Sequence, residues 1–94
     1  MTIPNVVPTI GRIVLYTVTD TDAKKIHTAR CLASLYGNLI SEGQVFPMVI
    51  VRVHGNTPDC YVNGKLLLDG EDTFWVCSTK LGEGPGTFSW PGRV

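Results

Sequence analysis

Ninety-four residues with eight basic and eight acidic side chains make a chain of zero formal net charge, long enough for one domain whose core buries roughly 60–70% of the unfolded surface. That balance excludes a protein built mainly to neutralise nucleic-acid phosphates, which carries a basic excess. It leaves room for a small anionic ligand held by two or three donors. With 44% apolar and only 17% charged residues, the chain is also more apolar than a small soluble monomer, whose surface is about 25–35% charged, so a symmetric homo-oligomer is expected to bury the surplus.

Residues 1–10 hold Pro4 and Pro8 and read as an extended N-terminal arm. Residues 11–18 are rich in β-branched and aromatic side chains and form the first predicted strand. Thr19-Asp20-Thr21-Asp22 supplies N-cap residues and acids that favour a helix start. From Ala23 to Tyr36, apolar residues at Ile26, Ala29, Leu32, Ala33 and Tyr36 keep a helical period, and Gly37-Asn38 fits the stop.

Val45 to His54 is the strongest strand signal, with Pro47 expected near its start or on an edge because it lacks an amide hydrogen. Residues 60–68 read as one strand in preference to a hairpin at Asn63-Gly64, because Asp69-Gly70-Glu71-Asp72 is the better turn and residues 73–79 make a convincing partner. A glycine-rich loop, Gly82-Glu83-Gly84-Pro85-Gly86, and a short strand at 87–90 complete the chain. This order predicts a mainly β fold: a five-stranded SH3-like barrel with one helix inserted between strands one and two. A small open sheet carrying a helix and a dimer sharing a sheet are the alternatives. Both faces of the first two strands are apolar, whereas a solvated face alternates with polar residues. The helix can cover part of one face, and a neighbouring subunit is the natural cover for the rest.

Chemistry is sparse. The glycine-rich loop lacks the Lys-Ser/Thr pair and helix of a phosphate-binding P-loop, and reads as a turn before the last strand. His27 and Cys31 share a helix face but have no third ligand at metal spacing. Asp69, Glu71 and Asp72 read as turn chemistry and solvation. Cys31, Cys60 and Cys77 form neither a disulfide framework nor a CxxC site; all three are expected to be small buried hydrophobes in a reducing cytosol. The N-terminus carries no secretion-signal pattern, and no apolar run approaches the ~18 residues of a membrane span. No enzyme, cofactor, metal, membrane or nucleic-acid polymer is indicated. Lys24, Lys25 and Arg30 are the main basic feature of the helix. Phe74, Trp75, Phe88 and Trp90 could stack on a purine, with core packing the reading for most of them.

Several segments resemble a widespread group of small accessory proteins of tailed phages. They are residues 11–16, Glu42-Gly43 with residues 47–53, Leu68-Asp69-Gly70 leading to Trp75, and above all the end, Gly82-Glu83-Gly84-Pro85-Gly86-Thr87-Phe88-Ser89-Trp90-Pro91. The resemblance implies a phage protein acting in the host bacterial cytoplasm. It implies an oligomeric, non-enzymatic anti-defence sponge that sequesters a cyclic or modified nucleotide signal. On that reading Lys24, Arg30, Arg52 and His54 meet phosphate, Trp75 or Trp90 stacks, and Gly84 lies in the loop that shapes the pocket. A module that inhibits a host protein and a virion or assembly component are the other functions this context implies.

Overall fold

The computed structural model describes residues 5–92. Residues 1–4 of the expected arm, and Arg93 and Val94, lie outside the described residues; residues 5–10 form neither helix nor strand. Six elements follow in chain order: β1 (Ile13–Thr17), α1 (Asp20–Ala33), β2 (Val45–Val53), β3 (Val62–Leu67), β4 (Thr73–Thr79) and β5 (Phe88–Ser89). The strands form a single antiparallel sheet in the order β4-β3-β2-β1-β5.

The expected barrel closure does not form as a ladder: the sheet is open, and β4 and β5 are its two edges. One parallel bridge, Leu81 to Phe88, brings the chain leaving β4 against the free side of β5. There the Phe88 amide donates to the Lys80 carbonyl, and the Gly82 amide to the Phe88 carbonyl.

Pro47 lies third in β2, a central strand, rather than on an edge. Main-chain bonds join Ile50 to Arg12 and Val18 to Gln44 on the β1 side. Strand alternation therefore points the Pro47 nitrogen towards β3. The β2–β3 register ends at Met48 and Leu66, one residue before a donor would be missed.

β3 is continuous through Asn63-Gly64, as the better turn at 69–72 implied. Gly64 is needed there for space: a Cβ would stand 2.6 Å from the Met48 sulfur. The β3–β4 register shifts between Val62 and Gly64, where two residues of β4, Cys77 and Ser78, oppose Asn63. At this bulge Ser78 takes a left-handed φ of 58°, and its amide donates to the Asn63 Oδ1 at 2.8 Å.

The core lies on one face of the sheet and includes Val14, Tyr16, Met48, Ile50, Leu66, Val76 and Phe88, closed over by Ala23 and Ile26 of α1 and by Ile40. Thr19 caps the helix in a reciprocal box with Asp22. The Asp22 carboxylate also accepts from the Tyr16 hydroxyl, so one side chain ties the helix start to β1. Burial, then the hydrogen bond to Asp22 and its charge, push the Tyr16 phenol well above its ordinary range.

The helix ends earlier than the apolar period indicates. Ser34, in a left-handed conformation, caps it after Ala33, so Gly37-Asn38 is not the stop. Only Ala23, Ile26 and Arg30 are buried along α1. Leu32 and Tyr36, expected on the covered face, are 83% and 80% exposed.

Candidate functional site

Three places gather the side chains that could act. The first is a buried ion pair. Arg30 sits four residues after Ile26, on the covered stripe of the helix, and its guanidinium is enclosed. Its Nε and Nη2 donate to the two carboxylate oxygens of Asp72 at 2.9 and 3.1 Å, and its Nη1 donates to the Asn38 carbonyl at 2.7 Å. Both side chains are 8% exposed. The hydrogen bonds and charge of the pair raise the Arg30 pKa and lower that of Asp72, and both effects outweigh desolvation. Two glycines make the slot. Gly37 and Gly70 bridge each other, and a Cβ on Gly70 would stand 2.7 Å from the Gly37 Cα and 2.8 Å from Arg30 Nη2. Glu71 and Asp69 complete the knot by accepting from the Tyr36 amide and the Asn38 side chain.

Asp72 is thus an internal counter-ion rather than a solvated turn residue. Arg30, expected to meet phosphate as a planar fork, spends that fork on Asp72. The signal that could have located it is its spacing: Ala23, Ile26 and Arg30 fall at i, i+3 and i+7 on one helix face.

The second place is the outer face of the sheet. Register puts Ile13, Val49, Lys65 and Trp75 in one row across β1 to β4, with Leu15 and Pro47 paired in the row beside it. Ile13, Leu67 and Trp75 are 51%, 39% and 53% exposed. Leu15 and Val49 are half-buried and Pro47 is exposed. Trp75 is therefore a surface indole, in an apolar field containing one charged side chain, Lys65. Trp90 differs: Phe88 meets it edge-on at 6.1 Å, and the Arg12 guanidinium lies 5.0 Å from its ring centroid. Its indole Nε1 is buried without a hydrogen-bond partner.

The third is an open groove of about 460 Å³ lined by His54, Tyr61 and Ser78. His54 and Tyr61 are joined by a main-chain bond, the bulge presents Ser78, and the Lys80 ammonium lies 5.3 Å from the Tyr61 ring centroid. Arg52, exposed, is two residues before His54. Tyr61 and Lys80 went unremarked in the sequence because it is the pairing of β3 with β2 and β4 that sets Tyr61 beside His54 and Lys80 against Tyr61.

The remaining expected site residues lie elsewhere. Lys24 is exposed on the helix and pairs with Asp20 at 2.9 Å, a hydrogen bond that raises its pKa. Gly84 is an exposed turn residue with φ of 90°; its carbonyl accepts from the Thr87 hydroxyl. The seven expected ligand contacts, Lys24, Arg30, Arg52, His54, Trp75, Trp90 and Gly84, do not converge on one pocket of a single copy. The cysteines are less buried than expected: Cys31 and Cys77 are exposed, Cys60 is half-buried, and all three are free. His27 Nε2 lies 3.1 Å from the Ile40 carbonyl, holding the helix to the following loop.

Among the described residues no helix is long and apolar enough to cross a membrane. Compared with family models, curated proteins and solved structures, the chain matches none. None of these comparisons shows the expected likeness to tailed-phage accessory proteins.

Proposed function

We propose that this protein is a non-enzymatic docking module that works through the outer face of its sheet. The observation that carries this reading is the outer-face row Ile13–Val49–Lys65–Trp75, exposed at all but Val49, with Leu15, Pro47 and Leu67 around it. An antiparallel sheet with one solvated face ordinarily alternates apolar-in and polar-out. Here both faces are apolar, and contiguous apolar surface on a small protein marks an interaction site. The bridge from Leu81 to Phe88 supports reading the sheet as an SH3-like barrel left open at one seam.

Trp75 supplies the test. A Trp90→Phe variant leaves it as the sole indole, since the chain has two tryptophans. Its fluorescence should move to shorter wavelength and resist aqueous quenchers when the face is engaged. Leu67→Lys should restore a solvent-like signal without changing the circular dichroism. Full quencher access under all conditions, with no binding of a hydrophobic dye, sinks the proposal.

A second reading is capture of a small nucleotide signal without chemistry, in the cytoplasm of a phage-infected bacterium. It is supported by the groove at His54, Tyr61 and Ser78, where an exposed aromatic ring, an imidazole and the Lys80 ammonium meet. That set suits a base and its phosphate. Cyclic di- and trinucleotides should raise the melting temperature and return intact after denaturation; no shift at concentrations far above micromolar overturns it.

A further inference from the structure

The occupant of the outer face is argued from its shape, its charge and the state of the sheet edges. The patch spans β1 to β4, three strand spacings of about 4.8 Å, and two rows of side chains each about 7 Å wide, so it projects over roughly 14 by 14 Å. With side-chain relief and a rim, two such patches bury on the order of 1,000 Å² together, the lower end of a specific protein interface. The indole at its margin adds anchor area that aromatic residues characteristically supply.

Zero net charge means that two copies meet without net Coulomb repulsion. A two-fold axis in the interface, running along the strands between β2 and β3, superposes β4 of one copy on β1 of the other. It sets each Trp75 over the other copy's Ile13. It lays each Lys65 stem along the other copy's Val49, and both stems run beside the axis along the strands towards Asn63, where the two ammoniums must reach water to avoid one another. Trp75–Ile13 then occurs twice, as an isologous contact requires.

Edge-to-edge pairing, the other route by which sheets associate, is poorly served. β4 is broken by the bulge at Cys77 and Ser78, which Asn63 holds in place. The free side of β5 is already bonded to residues 80–82. From these observations, and resting on the docking function proposed above, we infer that the partner is a second copy of this chain, packed face to face through Ile13, Leu15, Pro47, Val49, Leu67 and Trp75 in a symmetric dimer.

Sedimentation equilibrium over a concentration series, run on the full chain, tests this. The expected result is a reversible monomer–dimer equilibrium. Trp75→Ser and Leu67→Lys should each weaken it at least tenfold while leaving the circular dichroism and monomer melting unchanged. A dimer that survives both substitutions but dissociates in Leu32→Ser/Tyr36→Ser overturns the inference, because the helix end is then the interface. A monomer at every concentration, with Trp75 still shielded on adding a different protein, also overturns it and leaves the docking function standing. A monomer whose Trp75 is always quencher-accessible removes both.

Discussion

The Arg30–Asp72 knot and the outer sheet face invert the usual partition in opposite ways. In the knot a guanidinium and a carboxylate are removed from water, and three hydrogen bonds satisfy the arginine. On the outer face an indole and several aliphatic side chains remain in water. The knot joins the end of α1, the loop after it and the turn before β4. It lies within one copy, in a slot where a Cβ on Gly37 or Gly70 would run into the guanidinium. The outer face adds little to the stability of a single copy, which gives it latitude to serve another. Charge here serves folding, and apolar surface is what a single copy leaves in water.

The largest expected effect breaks the knot. Arg30→Ala leaves Asp72 as an uncompensated buried charge and should cost about 3–5 kcal/mol, read by urea unfolding. In a domain whose total stability is of order 5–15 kcal/mol, that brings it close to unfolding. If Arg30 instead served a ligand while exposed to solvent, the loss would be within about 0.5 kcal/mol.

Gly70→Ala comes next. The new methyl meets backbone, the Gly37 Cα and the Tyr36 carbonyl, as well as the guanidinium. Overpacking of this kind costs about 1–3 kcal/mol. The same substitution at Gly84, where a Cβ meets nothing within 4 Å, tests backbone conformation alone: φ is 90° there, so some strain remains without any clash.

Legibility followed the range of the interactions. Alternation and turn residues placed β2, β3 and β4 to within two residues, and Thr19 to Asp22 marked the helix start, because those signals are local. The helix end was misplaced because periodicity at Leu32, Ala33 and Tyr36 records which side chains share a face, not whether a core extends beneath them. Arg30 and Asp72 lie 42 residues apart, so no local pattern joins them. The apolar surplus and the two-sided apolar strands did announce uncovered surface. They could not say that it would be the face bearing Trp75 while Trp90 packed against Phe88 and Arg12. Of the candidate groove only His54 was legible, since its neighbours Tyr61 and Lys80 arrive through strand pairing.

Acid gives a smaller, graded weakening of the same knot. Arg30 lowers the Asp72 pKa in the folded chain, whereas the unfolded value is about 3.9. The unfolded state therefore binds more protons below about pH 4. The Asp72 contribution is complete above that pH and is lost as pH falls through the lowered native value. Tyr16 gives the opposite sign at the alkaline end. Its pKa is raised on folding, so its contribution is complete below about pH 10 and declines as pH rises beyond it. Melting curves from about pH 2 to pH 6, compared between the native chain and Asp72→Asn, isolate the acid limb. A difference that stays flat across that range means the carboxylate gains nothing from Arg30.

The smallest effect separates the outer face from the other exposed apolar cluster. Leu32 and Tyr36 project from the end of the helix, 83% and 80% exposed, more fully in water than Trp75. Greater exposure alone would make them the better docking surface. They lack what the sheet face has: register. Six side chains on paired strands are held by ladder hydrogen bonds in a flat array, whereas Leu32 stands at the last turn of a helix and Tyr36 in the loop beyond its cap. Ordering them against a partner costs more side-chain and backbone freedom for less area. Leu32→Ser/Tyr36→Ser should therefore change unfolding free energy by no more than about 0.5 kcal/mol per site and leave the sedimentation profile of the native chain unaltered. A shift in that profile would show that exposure, rather than a pre-ordered face, decides where this protein associates.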